Sequence, residues 1–175
     1  MSTNKTTLAQ WTLALLFSAG TLMAGENMIK TPSFHFNDKA NWTSLSISTT
    51  EYRTAPAGLT IVGSTHWKAT YQTVAVDAGK FYSAAAWVKF VGTGSGVVEI
   101  RWYNAAGDQV GSTGIVSPKI DVDWTYYERL KFNPPATAVS ARFYIAMVQN
   151  YTATIFVDDV VFEEWVDPAT LVVIR

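Results

Sequence analysis

The stretch Ala-Arg-Phe-Tyr-Ile-Ala-Met-Val at residues 141–148 decides the fold class, because its pattern of side chains distinguishes a strand from a helix. Neighbouring side chains of a β-strand point to opposite faces, so alternate residues share a face. The face that we expect in the core is uniformly apolar and carries Ala141, Phe143, Ile145 and Met147. A helix over residues 136–147 is the rival interpretation, which the β-branched and aromatic content disfavours. The stretch therefore predicts a strand with one buried face.

The same alternation continues through most of the chain after Met28, with turn signals about every 8–14 residues. Extended segments are predicted at 45–48, 58–62, 71–76, 81–90, 97–103, 124–132, 141–148 and 154–162. No linker and no internal repeat interrupts the series. The pattern predicts one all-β domain, a sandwich or barrel of about eight or nine strands.

The composition narrows the classes of function. The chain has 175 residues, of which 49% are hydrophobic, 15% charged and 14% aromatic, and its net charge is −1. This balance excludes a disordered chain and gives no electrostatic basis for binding nucleic acid or an anionic membrane. The absence of cysteine excludes disulfides and thiolate chemistry. The many aromatic residues favour binding over catalysis.

Residues 1–25 differ from the rest of the chain. Lys5 is the only charged residue before Glu26, and an apolar run from Leu8 to Ala24 lies between them. This pattern is typical of a secretory signal peptide and predicts an extracellular, secreted protein. A retained hydrophobic arm in an assembly such as a virion, where the domain would lie on the virion surface, and a membrane anchor stay open. We expect a signal peptide or arm at 1–25, the β domain at 26–165 and a tail or edge strand at 166–175.

Five segments, in this order, carry a resemblance to a known family. They are Glu26 to Phe34, Trp67 to Val76, Lys80 to Lys89, Glu99 to Gly107, and Phe156 to Glu163 with its paired Asp158-Asp159. In sequence and order they resemble the jelly-roll carbohydrate-binding modules of families 4, 9, 16 and 22. The resemblance implies a jelly-roll β-sandwich of antiparallel strands that binds a polysaccharide or a cell-surface glycan. Phage tail, fibre and capsid-decoration proteins use similar modules, so a structural subunit is the alternative.

The resemblance also implies a structural calcium ion. In the family an acidic residue after the opening Phe often helps a late Asp to hold calcium, but here that position is His35. Calcium prefers oxygen ligands, and imidazole is a poor replacement. Asp38 and Asp159 are the remaining candidate metal ligands.

Three predicted strands each place an aromatic residue and a charge on the outward face. The pairs are Trp87 with Lys89, Tyr103 with Arg101, and Tyr144 with Arg142. Sugar recognition uses this mixture, because the C–H face of a pyranose lies on an aromatic ring while its hydroxyls need charged or forked partners. We therefore expect a concave, aromatic-lined glycan face. A subunit interface or a plain surface with cross-strand pairs gives the same pattern.

The remaining aromatic residues divide between core and site. Trp67 follows a Gly-Ser-Thr loop and is either an exposed platform or a core residue, whereas Trp42 and Trp124 are expected in the core. The candidate ligand-binding residues are Trp67, Trp87, Arg101, Tyr103, Arg142, Tyr144 and Gln149.

Nothing in the sequence indicates catalysis. A glycosidase needs two carboxylates on one surface, and Asp158 and Asp159 are neighbours on a predicted strand, so we expect them on opposite faces. Glu99 and Glu128 are a pair that could meet across strands. We predict that the protein is not an enzyme and needs no cofactor beyond the calcium that the resemblance implies. If it is a structural subunit, residues 8–24 and 170–175 are expected to contact itself or other subunits of a particle.

Overall fold

The computed structural model of the chain describes residues 25–34, 41–44 and 46–167. The expectations for the hydrophobic arm at 8–24, for His35 and Asp38, and for the tail contacts at 170–175 lie outside the described residues and stay predictions. In the described part of the chain, no helix is long and apolar enough to cross a membrane.

Nine strands in the described residues form two antiparallel sheets. The strands are β1 Ile47–Ser48, β2 Gly58–Val62, β3 Lys68–Ala75, β4 Tyr82–Val91, β5 Gly96–Tyr103, β6 Gln109–Val116, β7 Val122–Phe132, β8 Ser140–Met147 and β9 Thr154–Glu164. One sheet has the order β1-β2-β9-β4-β7 and the other the order β3-β8-β5-β6. The segment for which a helix was the rival is strand β8, and the predicted all-β sandwich is confirmed.

The core lies between the two sheets and follows the predicted alternation. Phe143, Ile145 and Met147 of β8 are fully buried, and so are Val98, Ile100 and Trp102 on β5. Trp42 also lies in the core, as expected, and its ring contacts Phe34 with the centroids 4.9 Å apart. Trp124 is only half-buried and is not among the described apolar residues that pack against the core, so the expectation of a core position is wrong.

Strand β6 was not among the predicted segments. Its sequence, Gln-Val-Gly-Ser-Thr-Gly-Ile-Val, contains two glycines and no clear alternation, so the pattern carried no strand signal. The turn before it is tight, with Gly107 at a φ of +86°. Pairing with β5 extends the four-stranded sheet, and Thr113 of β6 accepts a 3.1 Å hydrogen bond from the indole N–H of buried Trp102.

A β-bulge in β9 corrects the expectation for the two aspartates. Val157 and Val160 are both buried. Two residues lie between them, whereas regular alternation places only one residue between two inward positions. Asp158 accepts hydrogen bonds from the backbone N–H groups of Arg53 and Thr54, both at 2.8 Å, and Asp159 accepts one from the Thr54 hydroxyl at 2.6 Å. Both carboxylates therefore contact Thr54 from the same side, and the prediction of opposite faces is wrong.

Candidate ligand-binding face

The outer face of the four-stranded sheet brings together most of the candidate residues. The strand register places Tyr71, Tyr144 and Glu99 in one row across β3, β8 and β5, and places Arg142 opposite Arg101 in the next row. Together with Tyr103, further along β5, these side chains define what we call the Tyr–Arg face. Its members are Tyr71, Glu99, Arg101, Tyr103, Arg142 and Tyr144.

Guanidinium groups and tyrosine rings alternate on this face. The Arg101 Cζ atom lies 3.5 Å from the ring centroid of Tyr144. The Arg142 Cζ atom lies 4.4 Å from the Tyr71 centroid and 4.0 Å from the Tyr103 centroid, so this guanidinium contacts two rings. The Tyr71 and Tyr144 rings are stacked, with centroids 6.1 Å apart. Such contacts hold the arginines in place, because a cation is attracted to the electron-rich face of a ring.

The same contacts cover two of the rings that we expected to stack on a sugar. Tyr144 is 7% exposed and Tyr103 is 8% exposed, because the arginines and neighbouring residues cover both rings. These two rings are supports for the guanidinium groups and not open platforms.

Trp67 is the exposed aromatic residue of the site. It lies just before β3 and is 43% exposed, so the alternative of a core residue is wrong. Its indole N–H donates a 2.8 Å hydrogen bond to the Tyr144 hydroxyl, which fixes the ring at the end of the Tyr–Arg face. Beside it is a cleft of about 380 Å³ lined by Lys68 and by hydroxyl groups of Ser44, Ser46 and Thr60.

The two arginines differ in their charge partners. The Nε atom of Arg101 donates a 2.6 Å hydrogen bond to Glu99 within an ion pair. Burial lowers the pKa of Arg101, but the Glu99 carboxylate and the nearby Tyr144 hydroxyl outweigh it, so the net shift is upward. Arg142 forms no ion pair with any residue in the described ranges, and its buried Nε has no hydrogen-bond partner there.

Two candidate residues lie elsewhere. Trp87 is on β4 of the five-stranded sheet, so it lies on the opposite side of the sandwich from Arg101 and Arg142. The guanidinium of Arg53 covers its ring at 4.5 Å. Gln149 is exposed in the turn after β8, and the backbone N–H of the next residue, Asn150, donates a 2.7 Å bond to Ser64 in the loop before Trp67. Gln149 is therefore at the Trp67 end of the face, without a direct part in it.

Tyr71 is the residue that sequence reasoning missed. The inward positions of β3 include Thr70 and Gln72, which are polar and buried, so alternation did not reveal which face of this strand is outer. Gln72 is satisfied inside, because its side-chain amide exchanges hydrogen bonds of 2.7 and 2.9 Å with the backbone of Lys30. The available signal was that Tyr71, an aromatic residue, lies two positions before Thr73 and therefore shares a face of the strand with it.

The structure separates the carboxylate pair that the sequence left open for catalysis. Glu99 and Glu128 lie on different sheets, so the idea that they meet across strands is wrong. Asp158 is fully buried and accepts three backbone hydrogen bonds, from Arg53, Thr54 and Asp159. Burial raises the pKa of Asp158, and these hydrogen bonds only partly offset that rise.

Asp159 is the candidate calcium ligand that lies within the described residues. One carboxylate oxygen accepts a 2.8 Å bond from the Ser33 hydroxyl and the other a 2.6 Å bond from the Thr54 hydroxyl. No group of three or more His, Cys, Asp or Glu side chains within residues 25–34, 41–44 and 46–167 can hold a metal ion. One carboxylate with both oxygens bonded fits calcium poorly, since the ion takes six to eight oxygen ligands. Calcium binding with Asp38 stays a prediction, because Asp38 is outside the described residues.

Comparison with solved structures identifies the fold. A family 16 carbohydrate-binding module shares 17% identity with a TM-score of 0.61, over 78% of this chain and 99% of the module. The xylan-binding family 22 module of Paenibacillus barcinonensis Xyn10C shares 12% identity with a TM-score of 0.59, over 81% of this chain and 96% of the module. The chain has the jelly-roll fold of the carbohydrate-binding modules. The sequence-based fold prediction is thus confirmed.

The same fold occurs inside larger proteins. The enzymatically active domain of tailspike protein 4 from bacteriophage CBA120 matches with a TM-score of 0.66 and 17% identity. The match covers 79% of this chain but only 21% of the tailspike chain. No protein-family model matches the sequence, and a search of curated proteins finds no significant match.

Proposed function

We propose that the protein binds polysaccharide, without catalysis, along the Tyr–Arg face. The observation that carries the proposal is the exposed Trp67 ring, held by its hydrogen bond to Tyr144 at the end of a row of positioned arginines. An exposed ring beside guanidinium donors is the combination that a pyranose needs, with one apolar face and a rim of hydroxyls.

In this mechanism a sugar ring stacks on Trp67, and the neighbouring unit of the chain lies over Arg142 and Arg101. The guanidinium N–H groups donate hydrogen bonds to sugar oxygens, while the tyrosine rings beneath fix the guanidinium planes. Because a shallow polar surface buries little area, we expect modest affinity. Trp87, on the opposite side of the sandwich, has no part in this mechanism.

The names of the structural relatives supply the first ligand to test. The family 22 modules among them are described as xylan-binding. Xylan is therefore the starting point, and a panel of other soluble polysaccharides tests the breadth of recognition.

The experiment compares two matched tryptophan variants by isothermal titration calorimetry and affinity electrophoresis. We expect Trp67→Ala to weaken binding about five- to tenfold, because an aromatic contact contributes about 1 kcal/mol. Trp87→Ala, the same substitution on the opposite sheet, is expected to bind like the native protein. A folded native protein that binds no polysaccharide of the panel would refute the proposal, and so would hydrolysis of any of them.

We also propose an extracellular location, with the virion surface as the alternative. The tailspike relative supports the alternative, because a protein of a phage particle contains this fold. A role as a structural subunit depends on the contacts predicted for residues 8–24 and 170–175. Mass spectrometry of the native N-terminus separates the two, since a start near Gly25 requires export and cleavage.

A further inference from the structure

The position of Arg142 raises a question about ligand charge. Its guanidinium lies between the rings of Tyr71 and Tyr103, in the middle of the Tyr–Arg face. Arg101, the other guanidinium of the face, is neutralised by Glu99. Arg142 has no such partner in the described part of the chain, so the face has an uncompensated positive charge near its centre.

A neutral sugar leaves that charge unmatched. Arginine offers five N–H donors and no acceptor, and a guanidinium that is stacked on rings keeps its in-plane N–H groups for a ligand. The buried Nε atom of Arg142 has no hydrogen-bond partner among the described residues. The planar fork of donors matches a carboxylate in a bidentate manner, and such charged hydrogen bonds are about twice as strong as neutral ones.

A second positive group lies at the Trp67 end. Lys68 is the first residue of β3, and it is exposed and lines the cleft beside Trp67. It makes no ion pair with any of the described residues. Lys68 thus adds a second uncompensated cation near Trp67, at the cleft between β3 and β2, although the whole chain has a net charge of −1.

We propose that the ligand is an acidic polysaccharide, in which a uronic-acid carboxylate binds Arg142 while a neighbouring sugar stacks on Trp67. This inference rests on the proposed polysaccharide binding and adds the class of saccharide. Lys68 strengthens the attraction through its charge, without a fixed contact to the ligand.

The test uses one polymer in two forms. Glucuronoxylan is compared with the same glucuronoxylan after chemical reduction of its carboxyl groups to alcohols, by calorimetry at low and at high salt. We expect the intact polymer to bind about tenfold more tightly at low salt, as a charge-assisted contact predicts. The advantage shrinks as salt rises, because exposed charges are screened.

Arginine variants assign the effect to one residue. Arg142→Gln is expected to abolish the preference for the intact polymer and to keep the binding of the reduced polymer. Arg142→Lys keeps the charge without the fork and is expected to retain part of the preference. Arg53→Gln is the matched control, because Arg53, in the loop between β1 and β2, also covers an aromatic ring, but that ring is Trp87 of the other sheet.

The outcomes separate the two proposals. Equal binding of intact and reduced polymer by the native protein overturns the inference and leaves polysaccharide binding in place. Binding of neither polymer, nor of any other saccharide, overturns the proposed function itself. A sulfated xylan that binds as tightly as the uronate polymer overturns the preference for carboxylate. If Arg142→Gln does not fold, as judged by circular dichroism, the reduced polymer and Arg142→Lys still decide the question.

Discussion

The outer faces of the two sheets carry similar residues in different electrostatic settings. On the five-stranded sheet, Trp87 contacts Tyr126 and is covered by Arg53, which resembles the pairs on the Tyr–Arg face. There, however, carboxylates surround the aromatic residues: burial together with Glu128 and Glu163 raises the pKa of Tyr126. An aromatic residue beside a charge is thus not by itself a ligand site. Arg53 also forms no ion pair with a described residue, so what distinguishes the Tyr–Arg face is that Arg142 contacts two tyrosine rings, whereas the carboxylates of Glu128 and Glu163 lie near Tyr126 on the other sheet.

Lys89 of the five-stranded sheet differs from Arg142 of the Tyr–Arg face in the same way. Its ammonium group lies 2.8 Å from a carboxylate oxygen of Glu51 and 3.9 Å from one of Asp123, so its charge is satisfied within the protein. Arg142 is held by two rings, which fix its geometry but do not neutralise it. The comparison predicts that charged residues of the five-stranded sheet serve stability and those of the four-stranded sheet serve binding.

The largest effect on stability is expected for Asp158→Asn. Asp158 accepts hydrogen bonds from three backbone N–H groups in a buried position, and an asparagine amide would point its N–H₂ group at some of these donors. We expect the free energy of unfolding to fall by about 1–3 kcal/mol, the usual range for an unsatisfied buried polar group. Urea denaturation measures the change, and polysaccharide affinity of the folded fraction is expected to stay the same.

The pH dependence of the same pair of proteins sharpens this prediction. The pKa of Asp158 is raised in the folded state, so the folded protein binds this proton more tightly than the unfolded chain. The contribution of Asp158 to stability is therefore greatest below the pKa of the unfolded chain, about 3.9 for an Asp, and falls as pH rises through the folded pKa. The stability difference between native protein and Asp158→Asn should decrease over that range. A difference that grows with pH would contradict a raised pKa.

A smaller effect is expected for Tyr144→Phe, which removes the hydroxyl that accepts the Trp67 indole N–H. Loss of one hydrogen bond lowers stability by about 1 kcal/mol, and it frees the Trp67 ring, so binding weakens severalfold. Tyr126→Phe is the matched control on the other sheet, because Tyr126 is exposed there. Thermal unfolding and calorimetry give both quantities. Equal affinities for the two variants would show that anchoring of Trp67 does not matter.

The smallest effect is expected for Lys89→Met, which removes the ion pairs with Glu51 and Asp123 on the five-stranded sheet. Partly exposed pairs contribute little, so the free energy of unfolding should change by less than about 1 kcal/mol. Affinity for acidic polysaccharide should not change. A loss of affinity comparable with that of Arg142→Gln would remove the distinction between the two faces.

Alternation along the sequence predicted the strands that bury large apolar residues, since Phe143, Ile145 and Trp102 all face the core. It missed β6, because Gly111 and Gly114 remove the alternating side chains there. Alternation could not predict that Trp87 and Arg101 lie on different sheets. It tells which residues share a face of one strand but not which strands share a sheet. The order of strands in each sheet is set by long-range pairing, which no local pattern contains.

The sequence predicted part of the set of residues that lie together on the Tyr–Arg face, but not how their side chains contact one another. Arg101, Arg142 and Tyr144 do lie together, as the outward positions of β5 and β8 require. That the rings of Tyr103 and Tyr144 would support the arginines depends on side-chain packing across strands, which the spacing along each strand does not determine. The exposure of Trp67 likewise depends on the residues that surround it in the fold, which the sequence pattern does not determine.

The extra residue in β9 changes which alternate positions of that strand point into the core. Ile155 and Val157 point inward before it, and Val160 and Phe162 do so after it, so the two halves of β9 are out of step by one position. Deletion of either aspartate would restore regular alternation and keep all four apolar residues on the inward face, but it would remove the kink and hydrogen bonds to the Arg53–Thr54 backbone. The spacing of two residues between Val157 and Val160 is therefore a sequence signature by which distant relatives with the same kink can be sought.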